Sequence, residues 1–350
     1  MKWVLSLGAG LLVALTCLAL PTRVAAPAPD PRHPSFARPD LAFADVISAG
    51  EDIPQLHSLL VNWHGRMLLE HYFNGTLATN LANLKSASKS VLSALIGIAI
   101  DRGILPGLDT PISKYFPDLT DPDKQKITIQ DLLSMRSGLQ STSNVNYGTW
   151  VASPDWIRYV LARPLDAQPG KRMIYSTGNT HLLSAILTEA AHESTWQFAQ
   201  EALAKPLGFD LPRWSTDPQG IYFGGNEMLL TPKQMIAIGE LYLHRGRVNG
   251  RQVVPAAWVD ASCVPRTTSA WDSDRRYGYG WWIQEIGPAT ACFAWGYGGQ
   301  YILVFRDLDL VVAATSSTAV SEERRGHRRR LLQLIEDRVL RTIRSGSAKT

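Results

Sequence analysis

The sequence predicts a mixed α/β fold, in which strands from both ends of the chain form one sheet beside a helical insertion. Residues 57–73 hold two apolar stretches around the turn His64-Gly65-Arg66, which is the pattern of a β-hairpin. Between 91 and 244, apolar residues recur mostly at helical spacing, with Pro- and Gly-rich connections. Residues 279–314 return to a strand pattern, and a C-terminal amphipathic helix follows.

Length and composition describe a globular chain with a large core. The protein has 350 residues, of which 45% are hydrophobic, and a formal net charge of +4. This length permits one large domain or two closely packed ones. The basic residues are not interleaved with aromatic residues in a stripe, so we do not expect a nucleic-acid partner. The oligomeric state is left open.

The N-terminus has the pattern of a secretory signal peptide. Lys2 is followed by an apolar stretch over 3–20 and by the small residues Val24-Ala25-Ala26. We therefore predict a signal peptide over 1–26, a Pro-rich tether over 27–44 and a folded domain over 45–345. The protein is expected to be exported, either periplasmic or secreted. A retained membrane anchor at the signal is the alternative.

Two cysteines remain after the signal. Cys17 lies within it, which leaves Cys263 and Cys292 in a compartment where disulfides persist. A bridge between them and two buried thiols that pack as small apolar residues are both open. Metalloprotease, phosphate-loop and Gly-x-Ser-x-Gly motifs do not occur in the sequence. We expect neither a metal ion nor a cofactor.

The strongest chemical signal is Ser86-Ala87-Ser88-Lys89, at the head of the apolar run 91–100. On a helix, residues i and i+3 lie on one face, so the Lys89 amine can reach the Ser86 hydroxyl. The first turn carries the positive end of the helix dipole, which stabilises negative charge on Oγ and disfavours a protonated lysine. A lysine that loses its proton by burial becomes a base near neutral pH. Chance matches to this short pattern are common, so its meaning depends on the rest of the chain.

A second element is Tyr175-Ser176-Thr177-Gly178-Asn179, just before an apolar helical pattern. A phenol in a loop ahead of a buried helix can point into a cleft and relay a proton between a serine and a leaving group. The alternative for Tyr175 is a core residue without a chemical role.

A third element is Trp295-Gly296-Tyr297-Gly298-Gly299-Gln300, followed by two predicted strands around the turn 306–309. Glycines at a strand start allow a ligand to approach the backbone closely, and a strand N–H beside a nucleophile can stabilise an oxyanion. A simple Gly-rich turn is the alternative. Trp281, Trp282 and Trp295 either belong to the core or form a wall of an apolar cleft near this element.

Together the three elements resemble the serine beta-lactamase and penicillin-binding-protein superfamily, in which Ser-x-x-Lys, Tyr-x-Asn and Lys-Thr-Gly elements occur in this order. Four further segments, 112–117, 127–139, 229–235 and 277–282, resemble the branch of class C beta-lactamases, esterases and 6-aminohexanoate-dimer hydrolases. The resemblance runs from about Ser58 to Thr315. It implies an antiparallel sheet flanked by terminal helices, plus an all-helical subdomain over roughly 105–245.

The resemblance also implies roles for individual residues. Ser86 would be the nucleophile, and Lys89 and Tyr175 would share the role of general base. The residues expected at the substrate or the oxyanion are Gly298, Gly299, Gln300, Asn179 and Trp295.

Two departures from the family pattern are present. Thr177 stands where many members have Asn, and Asn179 is a candidate to replace it. No Lys or His precedes the glycines of the third element, where beta-lactamases and peptidases hold a substrate carboxylate.

These observations predict an exported serine hydrolase that cleaves a small ester or amide through an acyl-enzyme on Ser86. The missing cation favours uncharged substrates over beta-lactams. The alternative is a protein with the same fold that binds cell-wall peptides or beta-lactams without turnover.

Overall fold

The computed structural model describes residues 42–322 and 325–347. The predicted signal peptide over 1–26 and most of the tether over 27–44 lie outside these residues. The division of the chain into signal, tether and domain therefore stays a prediction. Within the described residues, no helix is both long and apolar enough to cross a membrane.

An antiparallel sheet of eight strands dominates the described residues, in the order β2-β1-β12-β11-β10-β9-β8-β7. Strands from both ends of the chain meet where β1 pairs with β12, with Val61 opposite Val312. Two short pairs, β3–β4 and β5–β6, lie outside it. In chain order the strands are β1 Leu56–Trp63, β2 Arg66–Tyr72, β3 Ala82–Asn83, β4 Leu229–Leu230, β5 Arg247–Val248, β6 Arg251–Gln252, β7 Thr267–Thr268, β8 Arg276–Tyr277, β9 Trp282–Ile286, β10 Ala289–Gly296, β11 Gln300–Phe305 and β12 Leu310–Ser316.

Helices cover the sheet and build the layer beside it. The α-helices are α1 Ala44–Glu51, α2 Ser88–Asp101, α3 Ile129–Leu133, α4 Tyr147–Val151, α5 Trp156–Leu161, α6 Thr177–Ala191, α7 Thr195–Ala199, α8 Pro232–Leu243, α9 Ala256–Ser262, α10 His327–Leu334 and α11 Arg341–Ser347. Local sequence sets their ends. Thr231 accepts a hydrogen bond from the Gln234 N–H and Pro232 occupies the first position of α8, so both residues favour a helix start there.

The central strands are buried on both faces because each face packs on its own layer. Alternate residues of β11 go to different cores: Ile302 joins the core that contains α2, α6 and α8. Leu303 joins the core that contains α1 and α10. Side chains of a strand alternate between the faces of a sheet, so a continuous apolar run is required where both faces are covered.

Helix α2 is the centre of the helical layer, since its residues 88–99 are all buried. It approaches α9 closely: a Cβ at Gly97 would lie 2.4 Å from the Trp258 ring. A disulfide joins Cys263, just after α9, to Cys292 on β10. The sequence left both a bridge and two buried thiols open, and the structure contains the bridge.

The predicted fold class is confirmed: a large antiparallel sheet with terminal helices and a helical layer. The hairpin β1–β2 and the strands β11 and β12 form where the sequence predicts them. One helix within 105–245 packs on the sheet, because α8 places Gly239 against Val311 of β12. The limits of a separate helical subdomain stay a prediction.

Candidate active site

Ser86 lies in a tight turn at the N-terminal end of α2. A single 3₁₀ turn, Lys85–Ala87, leads into the helix. Lys85 has a φ of +50°, a conformation that costs free energy for a residue with a side chain. Two bonds hold it: its N–H donates to Asn83 Oδ1 at 3.0 Å, and its Nζ pairs with Glu227 at 2.8 Å. The turn presents Ser86 at the wall of a cavity.

Lys89 is one helical turn after Ser86 and points at it. Its Nζ lies 3.0 Å from Ser86 Oγ, 3.3 Å from Thr177 Oγ1 and 2.7 Å from the Gly225 carbonyl. These three partners are uncharged, and only 1% of the Lys89 side chain is exposed. Burial lowers the pKa of Lys89 to about 7, because the charged form is poorly solvated there. A substantial neutral fraction at neutral pH makes Lys89 a competent base.

Tyr175 immediately precedes α6 and completes the group. Its hydroxyl hydrogen-bonds with Ser86, and its ring centre lies 5.2 Å from Lys89 Nζ. Burial raises the pKa of Tyr175 to about 12, and the bond with Ser86 offsets part of that rise. The ring stacks on Trp282 with centroids 5.7 Å apart. Tyr175 is therefore a fixed, protonated phenol beside the serine.

The cavity at this group has a volume of about 570 Å³, and its wall combines six aromatic with seven polar residues. A second cavity of about 520 Å³ shares Ser143, Asn144, Tyr175 and Trp271 with it, so the two form one cleft. The residues that line the first cavity are Lys85, Ser86, Ser143, Asn144, Tyr147, Tyr175, Thr177, Asn226, Trp271, Trp282, Trp295, Tyr297 and Thr318.

The strand β10 ends against the turn that carries Ser86. A Cβ at Gly296 would lie 2.0 Å from the Leu84 carbonyl oxygen and 3.2 Å from the Ala87 nitrogen. Only glycine permits this approach, which brings the strand backbone beside Ser86. Such an arrangement can place strand N–H groups near a developing oxyanion.

A comparison with known protein families identifies the family of this chain. The family model described as Beta-lactamase matches residues 57–336, which include Ser86, Lys89, Tyr175 and the end of β10. The chain belongs to the beta-lactamase family.

Solved structures of this fold include a Caulobacter crescentus penicillin-binding-protein homologue. It is 17% identical with a TM-score of 0.70, over 86% of this chain and 97% of that one. EstCE1, described as a hydrolase with promiscuous acyltransferase activity, is 18% identical with a TM-score of 0.65, over 84% and 97% of the chains. A Bacillus anthracis protein assigned as a 6-aminohexanoate-dimer hydrolase is 19% identical with a TM-score of 0.67, over 82% and 81%.

A sequence relative from Alkalihalophilus pseudofirmus, the uncharacterized protein BpOF4_21049, is 23% identical over 266 residues. The match covers 69% of this chain and 75% of the relative. The likeness to the solved structures extends to the fold; the chemistry of this family member depends on its own residues.

The structure brings four of the predicted site residues together at the cavity. Ser86, Lys89 and Tyr175 form the hydrogen-bonded group, and Trp295 lies in the cavity wall. Trp282 is also in the wall, whereas Trp281 is fully buried against Tyr242 with ring centroids 4.1 Å apart.

Asn179 does not reach the cavity, contrary to the sequence-based expectation. It is fully buried one turn into α6, where its Oδ1 accepts a hydrogen bond from Ser137 Oγ at 2.9 Å. Thr177 faces the site instead and contacts Lys89 Nζ at 3.3 Å. The reason is the helical rotation of about 100° per residue, which turns a residue two positions later away from the cleft.

Gly298, Gly299 and Gln300 are not among the residues that line the cavity, so their predicted contact with the substrate stays a prediction. The two glycines form the turn after β10, with φ of +101° and +107°. The Gly299 N–H donates to the Gly296 carbonyl at 3.2 Å. The Gln300 side chain donates to the Ser316 carbonyl at 2.6 Å. These interactions shape the hairpin that holds β10 in place.

Sequence reasoning missed Lys85, Tyr147 and Asn226, which line the cavity. Lys85 adjoins Ser86, so its place at the site was available from the sequence. Tyr147 and Asn226 lie 79 residues apart and meet only in the folded protein, where Asn226 Nδ2 donates to the Tyr147 hydroxyl at 2.9 Å. Local patterns carry no signal for such a pair.

Proposed function

We propose that this protein is an exported serine hydrolase that cleaves an ester or amide through an acyl-enzyme on Ser86. The observation that carries the proposal is the 3.0 Å contact between Lys89 Nζ and Ser86 Oγ in a buried, uncharged setting. A weak hydroxyl nucleophile needs an adjacent base, and a lysine becomes one when burial lowers its pKa. Family membership supports the same chemistry.

Acylation begins with neutral Lys89, which takes the proton of Ser86 as Oγ bonds to the carbonyl carbon. The negative charge moves to the carbonyl oxygen, which faces the Ser86 N–H at the helix start. Backbone N–H groups at the end of β10 would meet the same oxygen, and the packing of Gly296 on the turn that carries Ser86 supports this role. The positive end of α2 favours the same charge.

Collapse of this intermediate breaks the bond to the leaving alcohol or amine. Tyr175 is protonated and bonded to Ser86, so it is placed to give its proton to the leaving oxygen or nitrogen. Lys89 then returns a proton to Tyr175. Water attacks the acyl-enzyme by the same path, which releases the acid and restores Ser86.

The cavity favours uncharged substrates. Among the described residues that line the first cavity, Lys85 is the basic one, and it pairs with Glu227 at 2.8 Å. Arg172 lines the adjoining second cavity together with Asp166. Arg136 and Lys233 are occupied elsewhere: Arg136 donates to Ser134, and Lys233 pairs with Glu70 at 3.0 Å. A substrate carboxylate in the first cavity would therefore lose its hydration without an unpaired cation among the described residues that line this cavity.

Export is supported by the disulfide between Cys263 and Cys292, since such bonds persist in oxidising compartments. The predicted signal over 1–26 points to the same location.

A side-by-side assay of a neutral p-nitrophenyl ester and a chromogenic cephalosporin tests the proposal. We expect many turnovers of the ester per protein and a higher kcat/KM for the ester than for the cephalosporin. Release of one equivalent followed by arrest would instead identify a protein that is acylated without turnover. A cephalosporin kcat/KM equal to or above that of the ester would contradict the substrate preference.

A further inference from the structure

A carboxylate that the proposed chemistry does not use pairs with Lys85 of the cavity wall. Glu227 Oε1 accepts a hydrogen bond from Lys85 Nζ at 2.8 Å, and its Oε2 accepts one from Asn83 Nδ2 at 2.5 Å. The exposed fraction is 24% for the Lys85 side chain and 26% for the Glu227 side chain. Partial burial shields this ion pair from salt, so it holds more strongly than a pair on the open surface.

Glu227 joins the two segments that hold the reacting groups. Lys85 directly precedes Ser86 in the chain. Glu227 comes two residues after Gly225, whose carbonyl accepts a hydrogen bond from Lys89 Nζ at 2.7 Å. The ion pair therefore connects the backbone beside Ser86 to the backbone that orients the Lys89 amine.

Both partners of the ion pair have a strained backbone. The angle φ is +50° at Lys85 and +68° at Glu227, in the left-handed region that costs free energy for a residue with a side chain. Such conformations persist where surrounding contacts hold them, and they concentrate at functional sites. The backbones of the two segments are also paired, since the Leu84 N–H donates to the Met228 carbonyl at 2.9 Å. Contacts between the segments thus hold the strain on each side.

We propose that Glu227 is a positioning residue that sets the distance between Lys89 Nζ and Ser86 Oγ. It acts through Lys85 on one segment and through its own backbone on the other. A displacement of reacting groups by about 1 Å can lower a rate by about a hundredfold. This inference rests on the proposed function, because it concerns the reactivity of the same serine.

Glu227→Gln tests the role of the carboxylate, because it keeps the size of the side chain. A carboxamide accepts hydrogen bonds at one atom only, so its nitrogen would face the nitrogen of Lys85 or of Asn83, donor against donor. For a neutral p-nitrophenyl ester, we expect kcat/KM to fall by about tenfold or more.

A binding measurement shows whether the cavity itself has changed. In the Ser86→Ala background, the fluorescence of the cavity tryptophans reports the affinity for the same ester. Glu227→Gln should change this affinity by less than about threefold, since a positioning residue affects the reaction and not the binding of the substrate. A loss of affinity equal to the loss of kcat/KM would contradict the positioning role.

Two further variants assign the effect to the ion pair. Lys85→Met removes the other partner, and the double variant should lose no more than about the larger single loss, because the two residues act as one unit. Glu70→Gln is the matched control: Glu70 on β2 pairs with Lys233 at 3.0 Å, and 29% of its side chain is exposed. This pair is not among the residues that line the cavity, so kcat/KM should stay within about twofold. Losses that multiply in the double variant would overturn the pairing.

A labelling rate separates failure of this inference from failure of the proposed function. A serine-reactive phosphonate reacts with Ser86 without turnover, so its second-order rate constant reports how well the serine is activated. Glu227→Gln should lower this constant by about tenfold or more. If the parent protein is labelled but hydrolyses no ester, the proposed function fails and the labelling rate still tests the inference. A labelling rate of Glu227→Gln within about threefold of the parent rate would overturn the positioning role.

Discussion

At the scale of residues, the chemistry depends on burial, which shifts the pKa values of Lys89 and Tyr175 in opposite directions. Lys89 has hydroxyl and carbonyl partners only, and burial lowers its pKa to about 7. Burial raises the pKa of Tyr175 to about 12. In both groups burial disfavours the charged form, which is the protonated form of lysine but the deprotonated form of tyrosine. Lys89 is thus suited to accept the proton of Ser86, and Tyr175 to donate one.

Removal of either group should slow acylation. Lys89→Met keeps the length of the buried chain without the amine, and Tyr175→Phe keeps the ring that stacks on Trp282. Each should lower kcat/KM for a neutral ester by roughly 10²–10⁴, the usual effect of a placed proton-transfer group. The double variant should lose less than the product of the two losses, since both act on one proton path. A neutral effect of Tyr175→Phe would assign its role to another hydroxyl.

The pKa of Lys89 sets the pH dependence of activity. A lowered pKa means that the amine is neutral above pH about 7 and protonated below it. The kcat/KM for a neutral ester should therefore rise about tenfold per pH unit below pH 7 and level off above it. Tyr175 stays protonated throughout this range. A flat profile between pH 5 and 9, or a rise that begins above pH 9, would contradict Lys89 as the base.

At the scale of elements, the site forms because β10 and the start of α2 are held together. Gly296 packs on the turn before α2, and the disulfide anchors β10 at Cys292 to the end of α9 at Cys263. Helix α9 in turn packs on α2, where Trp258 covers Gly97. The disulfide therefore links β10 to α9, and both elements pack against α2 or the turn before it.

Loss of the disulfide should destabilise the protein. The bond closes a loop of 29 residues, which corresponds to ~3.6 kcal/mol in the chain-entropy view. Urea unfolding of the Cys263→Ser/Cys292→Ser variant should show a free energy of unfolding lower by about that amount. The control is urea unfolding of the parent protein, once without reductant and once with reductant. Two free thiols in the unfolded, unreduced parent would contradict the bridge.

Sequence patterns predicted the secondary-structure elements better than the contacts between them. The hairpin β1–β2, the buried helix α2 and the Ser86-Lys89 spacing depend on local periodicity, and they were predictable for that reason. Asn179 was misplaced because the rotation of α6 decides which residue faces the cleft. The pair of Tyr147 and Asn226 depends on a long-range contact, which no local pattern encodes.

At the scale of the whole molecule, the cleft lies where the helical layer meets the sheet. Ser143 and Tyr147 come from the helical side, and Trp282 and Trp295 come from strands β9 and β10. Ser86 lies between them, at the start of the helix that both layers bury. This arrangement leaves Ser86 at the cavity wall while Lys89 is almost fully buried.

The most direct test of this account is the covalent labelling of Ser86. A serine-reactive phosphonate should label the protein with one equivalent, on the peptide that contains Ser86. Ser86→Ala should take no label there and lose ester turnover by up to about a million-fold, as for other serine nucleophiles. Labelling of a different peptide, or turnover by Ser86→Ala within tenfold of the parent, would contradict the central claim.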